Sequence, residues 1–321
     1  MEKNIKLWSS LGMRATFGLI ALDLVKKNSN LIIATSDVST SAGLDRFKSQ
    51  FPKNYIDVGI AEQNLIGISA GLSSEGFDVI STTFAPFQTL RCCEQIKVNL
   101  GYMQNKICMV GLASGLVLGN LGFTHCSIED IGSLRSIPNI SIVVPSDSFE
   151  LYKTLYATMN HNESVYVRLT AGANLNIINP KDYDFEIGKG IKLVDGEDIV
   201  IIGCGNILHN CLEASKQLKE KGINCSVINM HTVKPIDKQM INDLIKKNKI
   251  IFTVEEHNII GGLGSAVSEV MSSTKNECKL MRIGIDDFYS SGGSYESLKN
   301  IYGLSVEKII KTVSSSLKNE K

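Results

Sequence analysis

Short apolar runs alternate with segments of helical periodicity along most of the chain. Runs typical of buried strands lie at 31–36, 55–59, 79–83, 106–112, 141–144 and 165–168, and helical patterns lie at 8–28, 60–76, 84–101, 127–136 and 147–159. Strands that alternate with helices form parallel sheets whose two faces are covered by helices. The first part of the chain is therefore predicted to be an α/β domain.

A break in this pattern predicts a second domain. Between Thr170 and Gly190 the sequence is rich in Asn, Pro, Asp and Gly and has little periodicity, as expected for a linker. Alternation then resumes, with strands predicted at 199–203, 225–229 and 250–254 and helices at 207–221, 237–247, 265–271 and 305–318. We predict two α/β domains, a parallel-sheet domain over residues 1–180 and a smaller domain over residues 190–321.

Composition excludes several classes of function. Lys plus Arg and Asp plus Glu number 33 each, so no net charge attracts the chain to nucleic acid or to an anionic membrane. No apolar run reaches the roughly 20 residues of a membrane span, and the first residues lack the apolar core of a signal peptide. The eight cysteines show no CxxC spacing, which argues against a disulfide framework or a zinc site. A soluble, cytoplasmic protein is expected.

One carboxylate, Glu62, stands in a mostly apolar stretch. The segment 55–76 predicts a short strand that ends at Gly59, followed by a helix with Glu62 in its first turn. An acidic residue there could simply favour the helix dipole. However, the helix is apolar almost all round, which predicts that it is buried, and a buried carboxylate is costly unless it is paired or used. Glu62 is therefore a candidate catalytic group.

Other candidate site residues each have an ordinary structural alternative. His125 lies in a glycine-rich turn after a predicted strand, where α/β proteins bind ligands, but a lone histidine is often structural. Phe84 and Phe87 could pack in the core or could hold a flat heteroaromatic ring. Arg14 and Arg168 could be surface charges or could clamp an anionic substrate.

The glycine run at 261–264 superficially suggests a phosphate-binding loop. Its spacing is not that of a dinucleotide-binding fingerprint, and no ribose-binding acid follows at the right distance. Close packing of a helix against the sheet is the favoured interpretation. A nicotinamide oxidoreductase is excluded for the same reason, because the fingerprint is also missing after the first strand.

Several segments, in this order, resemble the carboxyl-terminal half of transketolases and of 1-deoxyxylulose-5-phosphate synthase. They are DVGIAEQNLIGISAGLSSEG, STTFAPFQTLRCCEQI, GFTHCSIEDIGSLRSIPNISIVVPSD and VYVRL in the first domain, and VEEHNIIGGLGSAVSE in the second. The resemblance implies a pyrimidine-binding domain of thiamine diphosphate enzymes, followed by the smaller α/β carboxyl-terminal domain of transketolases.

The resemblance also implies roles for individual residues. In this family the glutamate that matches Glu62 hydrogen-bonds the pyrimidine ring of thiamine diphosphate and drives the tautomerisation by which the cofactor removes its own proton. Phe84 and Phe87 match the aromatic pocket around that ring, and Ile60 is placed beside them in the cofactor-binding set. His125 matches a histidine that contacts the donor substrate and is expected to be catalytic.

The family's motif for the diphosphate is missing from this sequence. Members of the family bind the diphosphate through Mg²⁺ with Gly-Asp-Gly and a downstream Asn, both in their amino-terminal half, and this chain has no such arrangement. No metal ligand is therefore expected here. The resemblance implies an obligate partner subunit that carries the diphosphate and Mg²⁺ sites, most simply in an α2β2 heterotetramer.

The substrate-binding positions match the family only in part. Arg14, Ser41 and Arg168 match the positions that hold the sugar phosphate in pentose phosphate transketolases, whereas Ala113 and Leu121 stand where those enzymes have a histidine and an aspartate. The expected reaction is transfer of a two-carbon ketol unit from a ketose or ketose phosphate to an aldose. The two apolar replacements favour a modified, branched or deoxy sugar.

Three alternatives stay open at this stage. The β subunit of a 2-oxo acid or acetoin dehydrogenase has the same two domains and is also separate from its partner. A decarboxylating synthase would join pyruvate to an aldehyde. A non-catalytic regulatory subunit would keep the fold, although the presence of Glu62, Phe84, Phe87 and His125 argues against this alternative.

Overall fold

The structure is a computed structural model that describes residues 2–170, 176–179 and 183–318. Its contacts divide the chain into two compact units. Unit 1 contains residues 1–114 and 133–187, and unit 2 contains residues 115–132 and 188–321. The segment Gly115–Gly132 therefore packs with the carboxyl-terminal part of the chain, although it precedes the predicted linker in the sequence. That linker lies partly outside the described residues, at 171–175 and 180–182.

Unit 1 is built on a parallel sheet, as the alternating pattern predicts. Six of its described strands lie side by side in the order β5-β6-β4-β3-β1-β2. They are β1 (Leu31–Thr35), β2 (Tyr55–Asp57), β3 (Asp78–Phe84), β4 (Ile107–Leu112), β5 (Ile140–Val143) and β6 (Ser164–Arg168). Adjacent pairs run parallel, and four of these strands are buried along their whole length because both faces of a parallel sheet are covered. The α/β prediction is confirmed.

Apart from the short helix Asp45–Gln50, which lies in a stretch predicted to be a polar loop, the helices before residue 160 follow the predicted order with shifted ends. They are α1 (Glu2–Lys27), α2 (Asp45–Gln50), α3 (Glu62–Ser74), α4 (Ala85–Gln88), α5 (Cys93–Gln95), α6 (Asp130–Arg135) and α7 (Ser148–Met159). Helix α1 bends at Gly12, whose φ of 75° is not helical, so Arg14 lies in the first turn of the longer straight part of this helix. That part packs against α7, and Phe17 and Leu155 enter the same core.

Two predictions about helices in unit 1 are wrong in detail. Helix α3 is not buried all round, because Asn64, Gly67 and Gly71 recur at helical spacing and leave one face exposed and free of large side chains. The helix predicted at 84–101 is broken into α4, α5 and a π-helical stretch, Ile96–Tyr102. The chain turns at 89–92, where the Thr89 hydroxyl donates to the Ala85 carbonyl and ends the first helix.

Unit 2 contains a second, mixed sheet with strand order β12-β11-β8-β9-β7. The strands of this part of the chain are β7 (Ile191–Val194), β8 (Ile199–Gly203), β9 (Cys225–Asn229), β10 (Thr232–Lys234), β11 (Ile250–Asn258) and β12 (Lys279–Ile285). Strand β7 runs antiparallel to β9, whereas the other pairs of this sheet are parallel. The sequence did not predict β7, β10 or β12, because these strands are short or carry polar residues at the edge of the sheet.

Five helices complete the described part of unit 2. They are α8 (Leu208–Glu220), α9 (Lys238–Lys247), α10 (Leu263–Ser272), α11 (Tyr295–Ile301) and α12 (Val306–Lys318). Four of them agree with the predicted helices, and α11 was not predicted. Across the described ranges, none of the helices combines the length and the apolar character needed to cross a membrane.

Candidate active site

Glu62 lies at a tight turn between β2 and α3. Gly59 has a φ of 71°, which glycine adopts without strain, and the Ser36 hydroxyl donates to the Gly59 carbonyl over 2.5 Å. The Ala61 amide in turn donates to the Ser36 hydroxyl over 3.1 Å, which fixes the start of α3 against the end of β1. Glu62 is the first residue of this helix, as predicted, and its side chain is only 5% exposed.

Arg91 is the partner of this carboxylate, and the sequence analysis missed it. Its Nη1 donates to Glu62 Oε2 over 2.7 Å, and its guanidinium lies 4.1 Å from the centroid of the Phe87 ring. The Arg91 side chain is 43% exposed, so this ion pair is half-open to solvent. The only available signal was that Arg91 is the sole basic residue between Phe84 and Gln95.

Two aromatic rings stand beside the ion pair. Phe84 ends β3 and Phe87 lies in α4, and their ring centroids are 6.4 Å apart at an interplanar angle of 86°. Both rings are half-buried rather than enclosed in the core. The third member of the predicted cofactor-binding set, Ile60, is 77% exposed. Unit 1 thus brings together a carboxylate, a guanidinium and two accessible aromatic rings, a set suited to a flat heteroaromatic ligand with hydrogen-bonding atoms.

The nearby thiol of Cys92 is not available as a nucleophile. Burial raises the pKa of Cys92 to about 12, and the negative charge of Glu62 acts in the same direction. Cys92 Sγ lies 3.1 Å from the Phe87 carbonyl oxygen and donates to it. This cysteine therefore stays a protonated thiol at neutral pH. Any proton transfer in this cluster must therefore involve Glu62 and a molecule bound to it, and not the Cys92 thiol.

The structure brings the elements that carry Arg14 and Ser41 together. Gly43, two residues after Ser41, has a φ of 70°, and a Cβ at this position would lie 3.0 Å from the Arg14 carbonyl oxygen. A Cβ at Gly18 would lie 1.9 Å from the Gly43 carbonyl oxygen. Both glycines are needed for this close contact between α1 and the loop after β1. Arg14 and Ser41 are both half-buried.

Arg168 is not a surface charge, because it is only 2% exposed at the end of β6. The adjacent strand β4 ends next to it, with Gly111 in register with Arg168. Ala113 follows β4 with a φ of 52° and is fully buried, and the Ser114 amide donates to the Leu169 carbonyl over 2.8 Å. Ala113 and Arg168, two positions matched to the family's phosphate site, thus lie at the carboxyl ends of the adjacent strands β4 and β6.

His125 belongs to unit 2, within the segment Gly115–Gly132. It is half-buried, and its Nδ1 lies 3.0 Å from the Thr124 hydroxyl oxygen. Its amide donates to the Gly122 carbonyl over 3.0 Å, which closes a tight turn. Leu121, at the position matched to a sugar-reading aspartate, is 58% exposed.

The glycine run at 261–264 does not form an anion site. The carboxylate of Glu255 occupies the amino terminus of α10, where it accepts bonds from the Leu263 amide at 2.6 Å and the Gly264 amide at 2.8 Å. A Cβ at Gly262 would lie 1.9 Å from Glu255 Oε2, so glycine is required for this contact. The packing interpretation of this run therefore agrees with the structure. Among the residues that the structure describes, no group of three or more His, Cys, Asp or Glu is arranged to hold a metal ion.

Comparison with protein families gives two matches. The model of the transketolase pyrimidine binding domain matches residues 9–174, and the model of the transketolase C-terminal domain matches residues 188–309. These matches follow the same order as the two predicted domains. They confirm the predicted fold class and the resemblance on which the site residues were assigned.

Two relatives and one solved structure cover nearly the whole chain. An apulose-4-phosphate transketolase subunit of Phocaeicola vulgatus is 35% identical over 94% of this chain and 96% of its own length. The 6-deoxy-6-sulfo-D-fructose transketolase subunit SqwH of a Clostridium species is 31% identical over 93% of this chain and 92% of its own length. A structure described as a split gene transketolase, inactive beta4 tetramer, is 30% identical and has a TM-score of 0.86, over 96% of this chain and 98% of that chain. On the family matches and on these relatives together, the chain belongs to the transketolase family.

Proposed function

We propose that this chain is the pyrimidine-binding subunit of a two-subunit, thiamine diphosphate-dependent transketolase. The enzyme transfers a two-carbon ketol unit from a ketose donor to an aldose acceptor. The observation that carries the proposal is the buried carboxylate of Glu62, which is met by the side chain of Arg91 and stands beside two accessible aromatic rings. The similarity to subunits named for apulose 4-phosphate and for a sulfonated fructose supports a non-standard sugar as substrate.

The carboxylate and the apolar side chains of this cluster suit the pyrimidine ring of thiamine diphosphate. Glu62 would hydrogen-bond a ring nitrogen, and Phe84, Phe87 and Ile60 would provide apolar contact. When bound, the cofactor supplies the electron sink that carbon–carbon bond cleavage requires. The role of Glu62 is to hold or release a proton at that ring nitrogen, as general acid–base catalysis requires of a positioned carboxyl group.

Arg91 holds the carboxylate of Glu62 in place. A salt bridge with one half-exposed partner is weaker than a fully buried pair, because water screens the exposed charge. A ligand that hydrogen-bonds Glu62 therefore competes with Arg91 at a modest free-energy cost. The cation also lies over the Phe87 ring, so Arg91 keeps a favourable contact if the ion pair loosens.

The substrate-binding set consists of His125, Arg14, Ser41 and Arg168. His125 would contact the carbonyl or hydroxyl groups of the donor and exchange a proton with them. The two arginines and the Ser41 hydroxyl would hold the anionic end of the sugar, since guanidinium groups suit phosphate and sulfonate oxygens. Leu121 presents an apolar side chain where a hydroxyl-reading aspartate is expected, which favours a sugar lacking or masking that hydroxyl.

The diphosphate and Mg²⁺ would be held by a partner subunit, in a cytoplasmic α2β2 heterotetramer of carbohydrate metabolism. The names of the relatives as subunits support this assembly. Unit 1 also exposes large apolar side chains near α3 that an interface would cover, namely Ile60, Leu90, Val98, Tyr102 and Met103. On α3 itself, a Cβ added at Gly67 or Gly71 would have no described atom within 4 Å, so a partner element could approach this face closely.

The test is reconstitution with a diphosphate-binding subunit, thiamine diphosphate and Mg²⁺. Ketose phosphates, apulose 4-phosphate and 6-deoxy-6-sulfofructose are offered as donors with aldose acceptors, and the products are identified by mass spectrometry. Ketol transfer that is lost in Glu62→Gln supports the proposal. A cofactor-loaded complex that instead oxidises 2-oxo acids with lipoyl protein would make the chain a dehydrogenase subunit, and unchanged transfer in Glu62→Gln would make it a regulatory subunit.

A further inference from the structure

The segment Gly115–Gly132 carries His125 and is held at its far end by strand β11. The Asn258 amide donates to the Ile128 carbonyl over 2.8 Å, and the Gly132 amide donates to His257 Nε2 over 3.2 Å. The Nδ1 of the same histidine lies 2.7 Å from the Asn258 carbonyl oxygen, so the ring proton is on Nδ1 and Nε2 is an acceptor. The end of the segment is thus fixed by backbone and side-chain bonds.

The near end of the segment is held by Glu256. Its Oε1 accepts a bond from the Leu116 amide over 2.7 Å, and the residue is buried. A Cβ at Gly115 would lie only 2.1 Å from the same oxygen, so a side chain at this position would displace the carboxylate. Gly115 also has a φ of 68°, which other residues rarely adopt. The backbone and the carboxylate are therefore matched to each other.

Tyr295, the first residue of α11, is the second partner of Glu256. Its hydroxyl donates to Glu256 Oε2 over 2.5 Å and lies 3.3 Å from the amide nitrogen of the Asn206 side chain. Burial and the negative charge of Glu256 raise the pKa of Tyr295 well above its usual value, so the phenol remains a donor. The carboxylate is therefore bound through one oxygen to the segment and through the other to α11.

The support of Glu256 extends directly to the backbone beside His125. Gly115 and Ser127 form a two-way antiparallel bridge, with distances of 2.8 Å and 3.0 Å between amide nitrogen and carbonyl oxygen. Ser127 is two residues after His125. A shift of Glu256 therefore moves the strand pair at the base of the turn that presents the histidine.

The middle of the segment is packed against the region around α11. The Gly293 amide donates to the Gly119 carbonyl over 3.0 Å, and a Cβ at Gly119 would lie 2.2 Å from Leu298 Cδ1. The Phe123 ring packs against Tyr289, with centroids 5.0 Å apart. Residues 289–298 therefore contact the stretch of the segment that leads into the turn at His125.

We propose that Glu256 and Tyr295 are positioning residues for His125, so that the carboxyl-terminal domain sets the orientation of the donor substrate. The inference rests on the proposed function, in which His125 contacts the donor. Tyr295 and Glu256 do not contact substrate themselves; they act through the backbone bonds at Leu116, Gly115 and Ser127. A misplacement of about 1 Å at a reacting group can cost about a hundredfold in rate, so this support has a measurable effect on catalysis.

The test is a double-mutant cycle between Tyr295→Phe and His125→Ala in the reconstituted complex. In the presence of His125, loss of the Tyr295 hydroxyl should lower kcat/KM for the donor by about tenfold to a hundredfold, with unchanged affinity for thiamine diphosphate. In the His125→Ala background, the same substitution should change kcat/KM less than about twofold, because the group that it positions is gone. An equal fold-loss in both backgrounds would overturn the proposal.

Amide hydrogen exchange of the complete chain provides a readout that needs no activity. Tyr295→Phe and Glu256→Gln should accelerate exchange at Leu116 and Ser127 and leave the amides of β4 unchanged. The matched control is Ser226→Ala, which removes a buried hydroxyl of β9 that accepts from the Gly196 amide and donates to the Gly196 carbonyl, away from the segment.

The outcomes separate this proposal from the proposed function. Unchanged exchange at Leu116 in both variants would overturn the positioning role even if the enzyme is a transketolase. A wild-type complex without ketol transfer would overturn the proposed function, and with it the role of the segment in orienting a donor. Equal exchange in Ser226→Ala and Tyr295→Phe would show general loosening of the domain and would also count against the proposal.

Discussion

Glu62 and Glu255 are both buried carboxylates at the amino terminus of a helix, and they are held in different ways. Glu255 projects from β11 onto α10 and accepts bonds from the Leu263 and Gly264 amides, so it neutralises the end of the helix dipole. Glu62 belongs to α3 itself, and its charge is met by Arg91, whose side chain is half-exposed. Backbone amides thus bind the carboxylate of Glu255, which also lies 3.8 Å from His257 Nδ1, whereas a side chain binds the carboxylate of Glu62.

This difference distinguishes Glu255, whose carboxylate stabilises the fold, from Glu62, whose carboxylate can take part in a reaction. The Leu263 and Gly264 amides are fixed in the first turn of α10 and would lose this acceptor if Glu255 turned away, whereas Arg91 is a side chain that can exchange its partner. Burial alone therefore does not identify a catalytic acid; the kind of partner does. Substitutions at the two glutamates and at related positions should separate the two classes by their effects on kcat and on stability.

Glu62→Gln should abolish ketol transfer and leave the fold intact. Glutamine keeps the size of the side chain but cannot hold or release the proton, and such groups contribute about 10² to 10⁴ in rate. The measurement is kcat of the reconstituted complex, together with the thermal unfolding midpoint of the chain. Glu75→Gln, at the exposed end of the same helix, is the control. A fall in the unfolding midpoint as large as that of Glu255→Gln would remove the distinction between the two carboxylates.

Glu255→Gln should lower the free energy of unfolding by about 2 kcal/mol, because two charge-assisted hydrogen bonds are weakened in a buried site. The measurement is urea unfolding of the chain without its partner. Glu277→Gln, at an exposed position in the loop between α10 and β12, should leave the urea midpoint unchanged. A loss of kcat in folded Glu255→Gln as large as that of Glu62→Gln would contradict the assignment of Glu255 to the fold.

Asp147 offers a third buried carboxylate whose charge is costly. Burial and the negative charge of Glu150 raise its pKa from 3.8 to about 6, although it caps α7 and binds the Ile178 amide. Since the folded-state pKa lies above the unfolded one, the associated stability is complete below pH 3.8 and is lost as the pH rises through about 6. Compared with Asp147→Asn, the wild-type chain should gain about 1 kcal/mol between pH 7 and pH 5. Urea midpoints at the two pH values measure this gain, and parallel curves for the two proteins would contradict it.

Gly67→Ala should stabilise the isolated chain by about 0.5 to 1 kcal/mol, because alanine is the better helix former and its methyl group would have no described atom within 4 Å. If this face of α3 binds the partner subunit, the same substitution should weaken assembly. Urea unfolding and a titration with the partner measure the two effects. Gly59→Ala is the control, because its surroundings are equally open but its φ of 71° makes alanine destabilising. Assembly as tight as in the wild type would place the interface elsewhere.

The sequence predicted most of the architecture because most of the parallel strands are short runs rich in apolar residues. Strand β9 was predicted at its observed bounds, and β8 likewise, since both are buried runs between polar turns. Helix α11 and strand β12 were missed because they are short or half-polar, and only their packing on the rest of unit 2 stabilises them. The break after α4 was missed because it depends on the Thr89 hydroxyl bonding its own backbone.

The candidate site was predicted in its residue types more than in its contacts. The start of α3 at Glu62 could be inferred from Gly59 and the apolar pattern that follows. The pairing of Glu62 with Arg91 could not, because 29 positions separate these residues and only the folded chain brings them together. Likewise, nothing local to His125 shows that its segment is held by Glu256 and Tyr295. The assigned roles of Glu62 and His125 stay predictions until the substitutions are measured.

The membership of Gly115–Gly132 in unit 2 has a practical consequence for engineered chimeras. A crossover placed in the linker at 170–190 would join the His125 turn of one parent to the β11 and α11 of another. Glu256 of one parent would then contact positions 115 and 116 of the other parent. Leu298 would likewise contact position 119 of the other parent. Recombination that transfers residues 115–132 together with 188–321 keeps these matched surfaces in one piece, so the His125 turn is exchanged together with the residues that support it.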